Sequence, residues 1–127
     1  MSTHKGSCHC GAVSFEFEAP DNIKVSECNC SICKTSGFVH LIIEKDDFKL
    51  LTGEDDIITY SFNTHTAKHT FCKLCGVKSF YTPRSHPDGY SINVNCLDLS
   101  TFKSIKYGKF DGANWEKNVD SLRENLS

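Results

Sequence analysis

The sequence lacks three features that would each assign a protein to a broad class: a basic excess, a long apolar run and an apolar leader. The formal net charge is −2 and the isoelectric point is about 6.3, which argues against broad nucleic-acid binding. The uncharged runs are too short to cross a bilayer, so we expect no membrane partner. Residues 1–6 contain no apolar core of a secretory signal. We therefore expect a cytoplasmic protein, with the nucleus as a second candidate compartment.

Internal repeats, low-complexity tracts and interior linkers are also missing. The 127 residues are 39% hydrophobic and 24% charged, which is typical of a soluble globular protein. A chain of this length can bury a real core without disulfides. We therefore expect residues 1–127 to form a single domain.

Cysteine is the residue that the sequence has in excess, with eight in the chain. In a reducing compartment, closely spaced cysteines more often bind metal or act in catalysis than form disulfides. Four disulfide bridges are the alternative interpretation, and both the missing signal and the tight spacings oppose it.

Seven of the cysteines fall into three clusters: Cys8 with Cys10, Cys28 with Cys30 and Cys33, and Cys72 with Cys75. The two pairs together supply the four thiolates of a closed structural zinc site. The cluster of three is one ligand short of closure. Either Cys96 or a histidine completes it, or a water or a substrate thiol occupies the fourth position, where chemistry can then take place.

Short strand-like segments predict a mainly β protein with little helix. Residues 12–18 alternate between apolar and polar side chains, and residues 38–43 form the run that looks most buried. Residues 57–62 and 66–71 are typical of a hairpin.

The segments that carry cysteine predict more specific local structure. Residues 6–11 are expected to form a strand whose backbone curls at Gly11, because two thiols on a straight strand lie too far apart for one metal. Residues 35–37 are expected to form a loop. At the C-terminal end, helical spacing after the candidate N-cap Asn114 predicts a short amphipathic helix through Trp115, Val119, Leu122 and Leu126.

Three motifs then resemble the glutathione-dependent formaldehyde-activating enzyme family: Cys8-x-Cys10-Gly11, Cys28-x-Cys30-x-x-Cys33 and Phe71-Cys72-x-x-Cys75-Gly76. Residues 60–72, 83–85, 87–90 and 96–98 are similar to the eukaryotic branch that includes centromere protein V. The likeness extends over roughly residues 5 to 117, nearly the whole chain. Centromere protein V has a long basic N-terminal extension, so we do not expect roles that depend on that extension.

The resemblance implies a β-tent fold of several short antiparallel sheets, like that of B-type methionine sulfoxide reductases. It also implies two zinc ions per chain. One is structural and bound by Cys8, Cys10, Cys72 and Cys75. The other is catalytic and bound by Cys28, Cys30 and Cys33. The family reaction condenses glutathione with formaldehyde to S-hydroxymethylglutathione and is classed with the carbon–sulfur lyases, so the expected partners are a small thiol and a small aldehyde.

A mechanism follows as a hypothesis. The glutathione thiol takes the open position on the second zinc, becomes a thiolate at neutral pH and adds to the formaldehyde carbon. Candidate donors of the proton to the new oxygen are His40, His65 and His69, each of which is alternatively a hydrogen-bonded structural histidine. Arg84 is a candidate for binding a glutathione carboxylate, and His69 is a second candidate contact; a solvated loop arginine is the plain alternative.

Two other interpretations belong to different classes of function. The first is a non-catalytic zinc module that binds another protein or a small thiol. The second is a redox sensor, in which the cluster of three cysteines loses zinc and forms a disulfide on oxidation.

Overall fold

The computed structural model describes residues 1–28, 31–62, 67–83 and 85–110. Within these ranges the chain forms ten strands, one short α-helix and several single turns of 3-10 helix, so the prediction of a mainly β fold is confirmed. The strands are β1 (Ser2–Ser7), β2 (Ser14–Ala19), β3 (Asn22–Cys28), β4 (Val39–Glu44), β5 (Phe48–Thr52), β6 (Ile57–Tyr60), β7 (His69–Cys72), β8 (Phe80–Tyr81), β9 (Gly89–Asn93) and β10 (Ser104–Phe110). The helix α1 spans Ser31–Ser36. Across the described ranges, no helix has the length and apolar character needed to cross a lipid bilayer.

The strands form three sheets. The strand orders are β1-β2-β5, β10-β3-β4-β9-β8 and β6-β7. The pairs are antiparallel as expected, except that β10 runs parallel to β3. A parallel pair needs a long crossover connection, and most of the chain lies between these two strands. The period-two pattern within each strand contains no information about such a distant partner.

The core is centred on the middle strand of the first sheet. Phe15 and Phe17 of β2 are buried and their neighbours along the strand are partly exposed, which confirms the alternation predicted for residues 12–18. The Phe15 ring lies 5.4 Å from the ring of Phe48 and 5.5 Å, edge-on, from that of Phe80. Each buried phenylalanine stabilises the fold by roughly 1.5–3 kcal/mol. The body that carries the cysteines is therefore a packed one.

The predicted hairpin in the middle of the chain is confirmed as an antiparallel pair. β6 pairs with β7 so that Ile57 lies opposite Cys72 and Tyr60 lies opposite His69. Residues 63–66, where the turn was expected, lie outside the described residues. The pairing fixes a histidine at one end of β7 and a cysteine at the other.

The loop predicted at residues 35–37 is wrong in part, because helix α1 continues to Ser36. The Ser36 hydroxyl donates to the carbonyl of Ile32 at 2.7 Å, one turn back along the helix. The amide of Phe38 donates to the carbonyl of Cys33 at 3.1 Å, across a glycine with φ 67°. This Schellman-type end stops the helix within one turn of the cysteine that it carries.

The predicted C-terminal helix falls entirely on residues 111–127, which lie outside the described residues.

Candidate metal centres and active site

The first pair of cysteines lies on a tight turn rather than on a strand. β1 ends at Ser7, so the strand predicted through residue 11 is wrong in its extent. Cys8 and Cys10 follow it on a turn in which the Gly11 amide donates to the Cys8 carbonyl at 3.2 Å. Gly11 has φ 81°, a conformation that favours glycine. The curl that two thiols on one metal require is therefore present, but it begins before the first thiol.

The second pair lies on a turn of the same kind at the end of β7. The Gly76 amide donates to the Cys72 carbonyl at 2.8 Å, and the Cys72 amide donates to the Val77 carbonyl at 3.1 Å. Gly76 has φ 75°. The amide of Leu74 donates to the Cys72 sulfur at 3.4 Å. Such a turn directs both its sulfurs and its N–H groups, including those around Cys75, toward one point.

The two turns face each other and bring four sulfurs together. Cys10 Sγ lies 3.7 Å from Cys8 Sγ and 3.7 Å from Cys72 Sγ, and all four sulfurs, with that of Cys75, lie within 4.8 Å of one another. A disulfide would need about 2.05 Å between sulfurs, and the seven described cysteines are all free thiols. In a tetrahedral zinc–thiolate site the sulfurs lie about 3.8 Å apart. The cluster therefore fits a metal ion.

Backbone N–H groups already polarise this four-cysteine cluster. Those of Cys10 and Val77 donate to the Cys75 sulfur and lower the pKa of its thiol to about 6. The Ala12 backbone also lowers the pKa at Cys10, but desolvation and the sulfurs of its neighbours raise that pKa to about 12. Protons therefore compete for closely spaced sulfurs. A divalent cation relieves this competition because it replaces several thiol protons at once.

A second group of ligand atoms joins three consecutive elements. Cys28 ends β3, Cys33 lies in α1 and His40 lies in β4, and their ligand atoms are within 4.8 Å of one another. β3 pairs with β4 so that His40 lies opposite Ser26. The third cysteine predicted here, Cys30, lies outside the described residues. Thiolates and an imidazole are ligands that zinc prefers, so this group can also hold a metal ion.

Two hydroxyl groups orient His40 from the side of its ring that faces away from Cys33. Its Nε2 lies 3.1 Å from Cys33 Sγ, and its Nδ1 lies 2.8 Å from Ser91 Oγ and 3.3 Å from the Tyr81 hydroxyl. The side chain is buried. A histidine whose outer nitrogen is hydrogen-bonded in this way is typical of metal centres, because the bond fixes the ring and its tautomer.

Cys96 lies beside the four-cysteine cluster, not in the second group. It follows β9 in a turn of 3-10 helix. Burial raises the pKa of its thiol to about 11, and the charges of Cys8 and Cys75 add to that rise. Among the described residues, neither set of mutually close ligand atoms includes it. The expectation that Cys96 completes the second site therefore gains no support from its position, whereas His40 lies within 4.8 Å of the sulfurs of Cys28 and Cys33.

Aromatic rings and a lysine lie near His40 of the second group. The buried His69 ring stacks on Tyr81 at 4.9 Å and on Phe62 at 5.4 Å between centroids. The Lys78 ammonium donates to His69 Nδ1 at 2.6 Å and lies 3.9 Å above the centre of the Tyr81 ring. It also lies 5.0 Å from the ring centre of Phe38. A buried cation is thus held against aromatic faces close to His40.

An open groove of about 420 Å³ runs alongside α1 at this place. Its lining residues come from α1, from β6 and β7, and from the segment after the second cysteine turn: Ile32, Ser36, Ile58, Thr59, Tyr60, His69, Phe71, Gly76 and Lys78. Volumes of this order and a mainly apolar lining with a few polar groups are typical of small-molecule sites. The groove therefore offers a binding place next to the helix that carries Cys33.

A known protein family matches most of this chain. The profile of the glutathione-dependent formaldehyde-activating enzymes matches residues 3–110. The chain belongs to the glutathione-dependent formaldehyde-activating enzyme family.

Two relatives of this formaldehyde-activating enzyme homologue show how far the similarity extends. A solved structure of a Rhodobacter sphaeroides protein has a TM-score of 0.70 and 32% sequence identity, and the match covers 82% of this chain and 99% of that one. A Halomonas elongata protein whose name assigns it to the same family is 39% identical over 67 residues. That alignment covers 52% of this chain and 36% of the relative, so the matched part spans well under half of the relative's length.

The structure brings together most of the residues that sequence analysis proposed for a formaldehyde-activating enzyme. The four cysteines of the first cluster meet, and Cys28 and Cys33 meet in the second group. His69, a candidate substrate contact, lies on the wall of the groove. Three other candidates, Cys30, His65 and Arg84, lie outside the described residues.

Sequence analysis missed two contributions to this site. His40 was considered as a proton donor or as a hydrogen-bonded structural histidine, but it was not singled out as a residue next to Cys28 and Cys33. Lys78 was not singled out, since lysine is usually a solvated surface residue. Only the fold shows that its ammonium is buried against His69 and Tyr81.

Proposed function

We propose that the protein catalyses the addition of glutathione, or of a closely related small thiol, to formaldehyde. In this reaction the thiol sulfur forms a bond to the carbonyl carbon, the C=O π bond becomes a C–O single bond, and the thiol proton ends on that oxygen. No group leaves, and no oxidant is needed. The reverse step cleaves a carbon–sulfur bond, which is the basis for classing the reaction with the lyases. The family profile over residues 3–110 is the main support.

The observation that carries the proposal is that Cys33 of the second ligand group lies on helix α1, whose residues Ile32 and Ser36 line the groove. Cys28 and Cys33, with Cys30, are our candidates for holding a zinc ion there, and three thiolates leave a fourth position. Zinc, when bound, lowers the pKa of a thiol delivered to it. A second zinc on the four-cysteine cluster is proposed to be structural.

The chain's own residues orient the reactants. Ile32 and Ser36 of α1 line the groove that adjoins Cys33, so a molecule in the groove lies along the helix. Ser91 and Tyr81 can both donate to His40 Nδ1, which leaves Nε2–H directed toward the Cys33 sulfur. In this tautomer His40 is a hydrogen-bond donor beside the reacting atoms, and we propose it as the group that protonates the new oxygen.

A specific observation favours a second candidate, the non-catalytic zinc module. In the other tautomer, Nδ1–H donates to Ser91 and the Nε2 lone pair faces the cysteines. Three thiolates and this imidazole form a closed structural zinc site. The two functions therefore differ in one proton position on His40. The nitrogen NMR shifts of the His40 ring in the zinc-loaded protein distinguish them.

The decisive activity test is exchange spectroscopy of a glutathione–formaldehyde mixture with and without protein that contains two zinc ions per chain. We expect faster exchange between free formaldehyde and S-hydroxymethylglutathione in the presence of protein. A Cys28→Ser variant is the matched control, because it removes a second-group ligand and leaves the four-cysteine cluster intact. Equal exchange rates with wild-type protein and without protein would exclude the catalytic function.

The finer sequence resemblances are also proposals. The motif at residues 60–72 supports placement in the eukaryotic branch that includes centromere protein V. The wider family resemblance supports a β-tent architecture, and the chain length supports residues 1–127 as one domain. A cytoplasmic protein, with the nucleus as a second compartment, is also proposed. Microscopy of a fluorescently tagged chain tests the location. The redox-sensor alternative predicts that mild peroxide lowers the count of free thiols and releases zinc together.

A further inference from the structure

Lys78 is a buried cation on the wall of an open groove. Its ammonium donates to His69 Nδ1 at 2.6 Å and lies over the Tyr81 ring at 3.9 Å. The side chain is largely removed from solvent, yet it also lines the groove. Lysine is rarely buried to this extent unless charged or polar groups compensate, because burial of an ammonium costs several kcal/mol.

The contacts around Lys78 hold the ammonium in a fixed position. The rings of Tyr81 and Phe38 present their π faces to it, and each cation–π contact is worth about 0.5–2 kcal/mol. The bond to His69 Nδ1 holds the same ammonium from the side of the groove wall. These contacts keep the charge in place at the groove, where it can interact with an anion.

The same two rings connect Lys78 to the second ligand group. Tyr81 places its ring under the ammonium and its hydroxyl 3.3 Å from His40 Nδ1. Phe38 lies between them, with its centroid 4.6 Å from the His40 ring and 5.0 Å from the ammonium. The cation is therefore one aromatic ring away from the histidine of the proposed second centre.

We propose that Lys78 and His69 form a carboxylate-binding subsite, so that the protein selects thiols that carry a carboxylate over neutral thiols. The proposal rests on the proposed function, in that the thiol of the same ligand reaches the second centre. The apolar groove walls, among them Ile58 and Phe71, pack against the carbon chain between the two ends of the ligand. The ammonium provides the charge-assisted hydrogen bond.

Binding without catalysis is the first test. S-methylglutathione keeps the carboxylates of glutathione but has no thiol to reach a metal, so its dissociation constant reports the subsite alone. We expect Lys78→Met to weaken its binding by about 10- to 100-fold, as for loss of a charged hydrogen bond. Lys78→Arg, which keeps the charge, should retain most of the affinity.

The matched control is Lys73→Met. Lys73 is exposed on the second cysteine turn and pairs with Asp56 at 3.5 Å, outside the groove. The Lys73→Met substitution removes the same charge from the chain and should leave the affinity for S-methylglutathione unchanged. Zinc content and circular dichroism are measured for each variant. If Lys78→Met does not fold, wild-type protein should still bind the diethyl ester of S-methylglutathione at least tenfold more weakly than the acid.

Kinetics separates this proposal from the proposed function. With 3-mercaptopropionate the Lys78→Met variant should show a raised KM, and with 2-mercaptoethanol, which is neutral, its KM should be unchanged. Equal losses for both thiols, or unchanged binding of S-methylglutathione, would overturn the subsite. Charge-dependent binding in a protein that accelerates no thiol–formaldehyde reaction would instead retain the subsite and reject the catalytic function.

Discussion

At the scale of single residues, the second ligand group contains a histidine that is held by two hydroxyls. His40 lies within an apolar strand, and its ring is fixed by Ser91 and Tyr81 on one side and by Cys33 on the other. A buried imidazole with such partners is costly to remove, because its neighbours then lose their hydrogen bonds. Substitution of His40 therefore tests whether this ring donates a proton or binds zinc.

Substitution His40→Ala is expected to leave two zinc ions per chain and to lower the rate of thiol–formaldehyde exchange by about 10²-fold, the order of a general acid–base contribution. Zinc is measured by metal analysis, and cobalt(II) substitution reports coordination at the second centre. His86→Ala, on a loop outside the second group, is the control. A fall to one zinc ion would show instead that His40 is the fourth ligand.

The buried thiol of Cys96 is expected to react slowly with alkylating agents. Since burial raises the pKa of its thiol from 9.0 to about 11, its thiolate fraction near neutral pH is about 100-fold lower than that of an ordinary cysteine. In zinc-loaded protein we expect one slowly alkylated thiol, whose rate keeps rising to about pH 11. Cys96→Ser should abolish that reaction and keep both zinc ions. Loss of a zinc ion in this variant would make Cys96 a ligand.

At the scale of elements, the first centre is produced by two turns of similar construction. Each follows a strand, places a cysteine amide or carbonyl in the turn's hydrogen bonds and ends with a glycine of positive φ. The glycine at which each turn curls was predictable from Cys-x-Cys-Gly and Cys-x-x-Cys-Gly, although the first pair was expected on a strand. Helix α1 was less predictable from the sequence, because six residues are too few to show a helical period.

Replacement of the second glycine tests the turn itself. Gly76→Ala adds a methyl group that meets no atom within 4 Å, so its cost is the positive φ alone, about 1–2 kcal/mol of the free energy of unfolding. Urea unfolding with zinc in excess measures it. Gly76→Asn should cost less, because asparagine tolerates this conformation. Gly108→Ala, which meets only an ordinary contact at 3.7 Å, should be near neutral, and an equal loss there would contradict the argument.

At the scale of the whole molecule, the four-cysteine cluster joins distant parts of the chain through the core. Cys8 and Cys72 are both buried members of the hydrophobic core cluster. A structural zinc contributes about 10–16 kcal/mol to folding at neutral pH, as much as the entire stability of an ordinary domain. The second group joins only neighbouring elements, β3, α1 and β4. The two centres should therefore differ in their importance to folding.

Cysteine substitutions should separate the two centres. Cys72→Ser is expected to unfold the chain, with loss of circular dichroism and of nearly all bound zinc. Cys28→Ser is expected to keep the fold and one zinc ion per chain. Metal analysis and circular dichroism of both variants measure these outcomes, and stepwise chelation of wild-type protein should show the same order. A folded Cys72→Ser protein with one zinc ion would contradict the structural assignment.

The sequence was most informative where a chemical or periodic pattern is local. The alternation around Phe15, the hairpin that ends at Cys72 and the two cysteine turns follow from neighbouring residues. The burial of Lys78 was missed because its neighbours in sequence give no sign of it. The place of His40 was missed because it depends on a contact between strands that are distant in sequence. The parallel position of β10 was missed for the same reason.

That parallel strand has a consequence for the order of assembly during synthesis. β10 pairs with β3 along its full length, and Phe110 lies opposite Cys28. The ribosome must release residue 110 before this pairing can form, whereas the four-cysteine cluster needs the chain only to Cys75. We expect nascent chains to acquire their first metal while the strand that presents Cys28 still lacks its outer neighbour, so the thiols beside the groove would be the last to reach their final geometry.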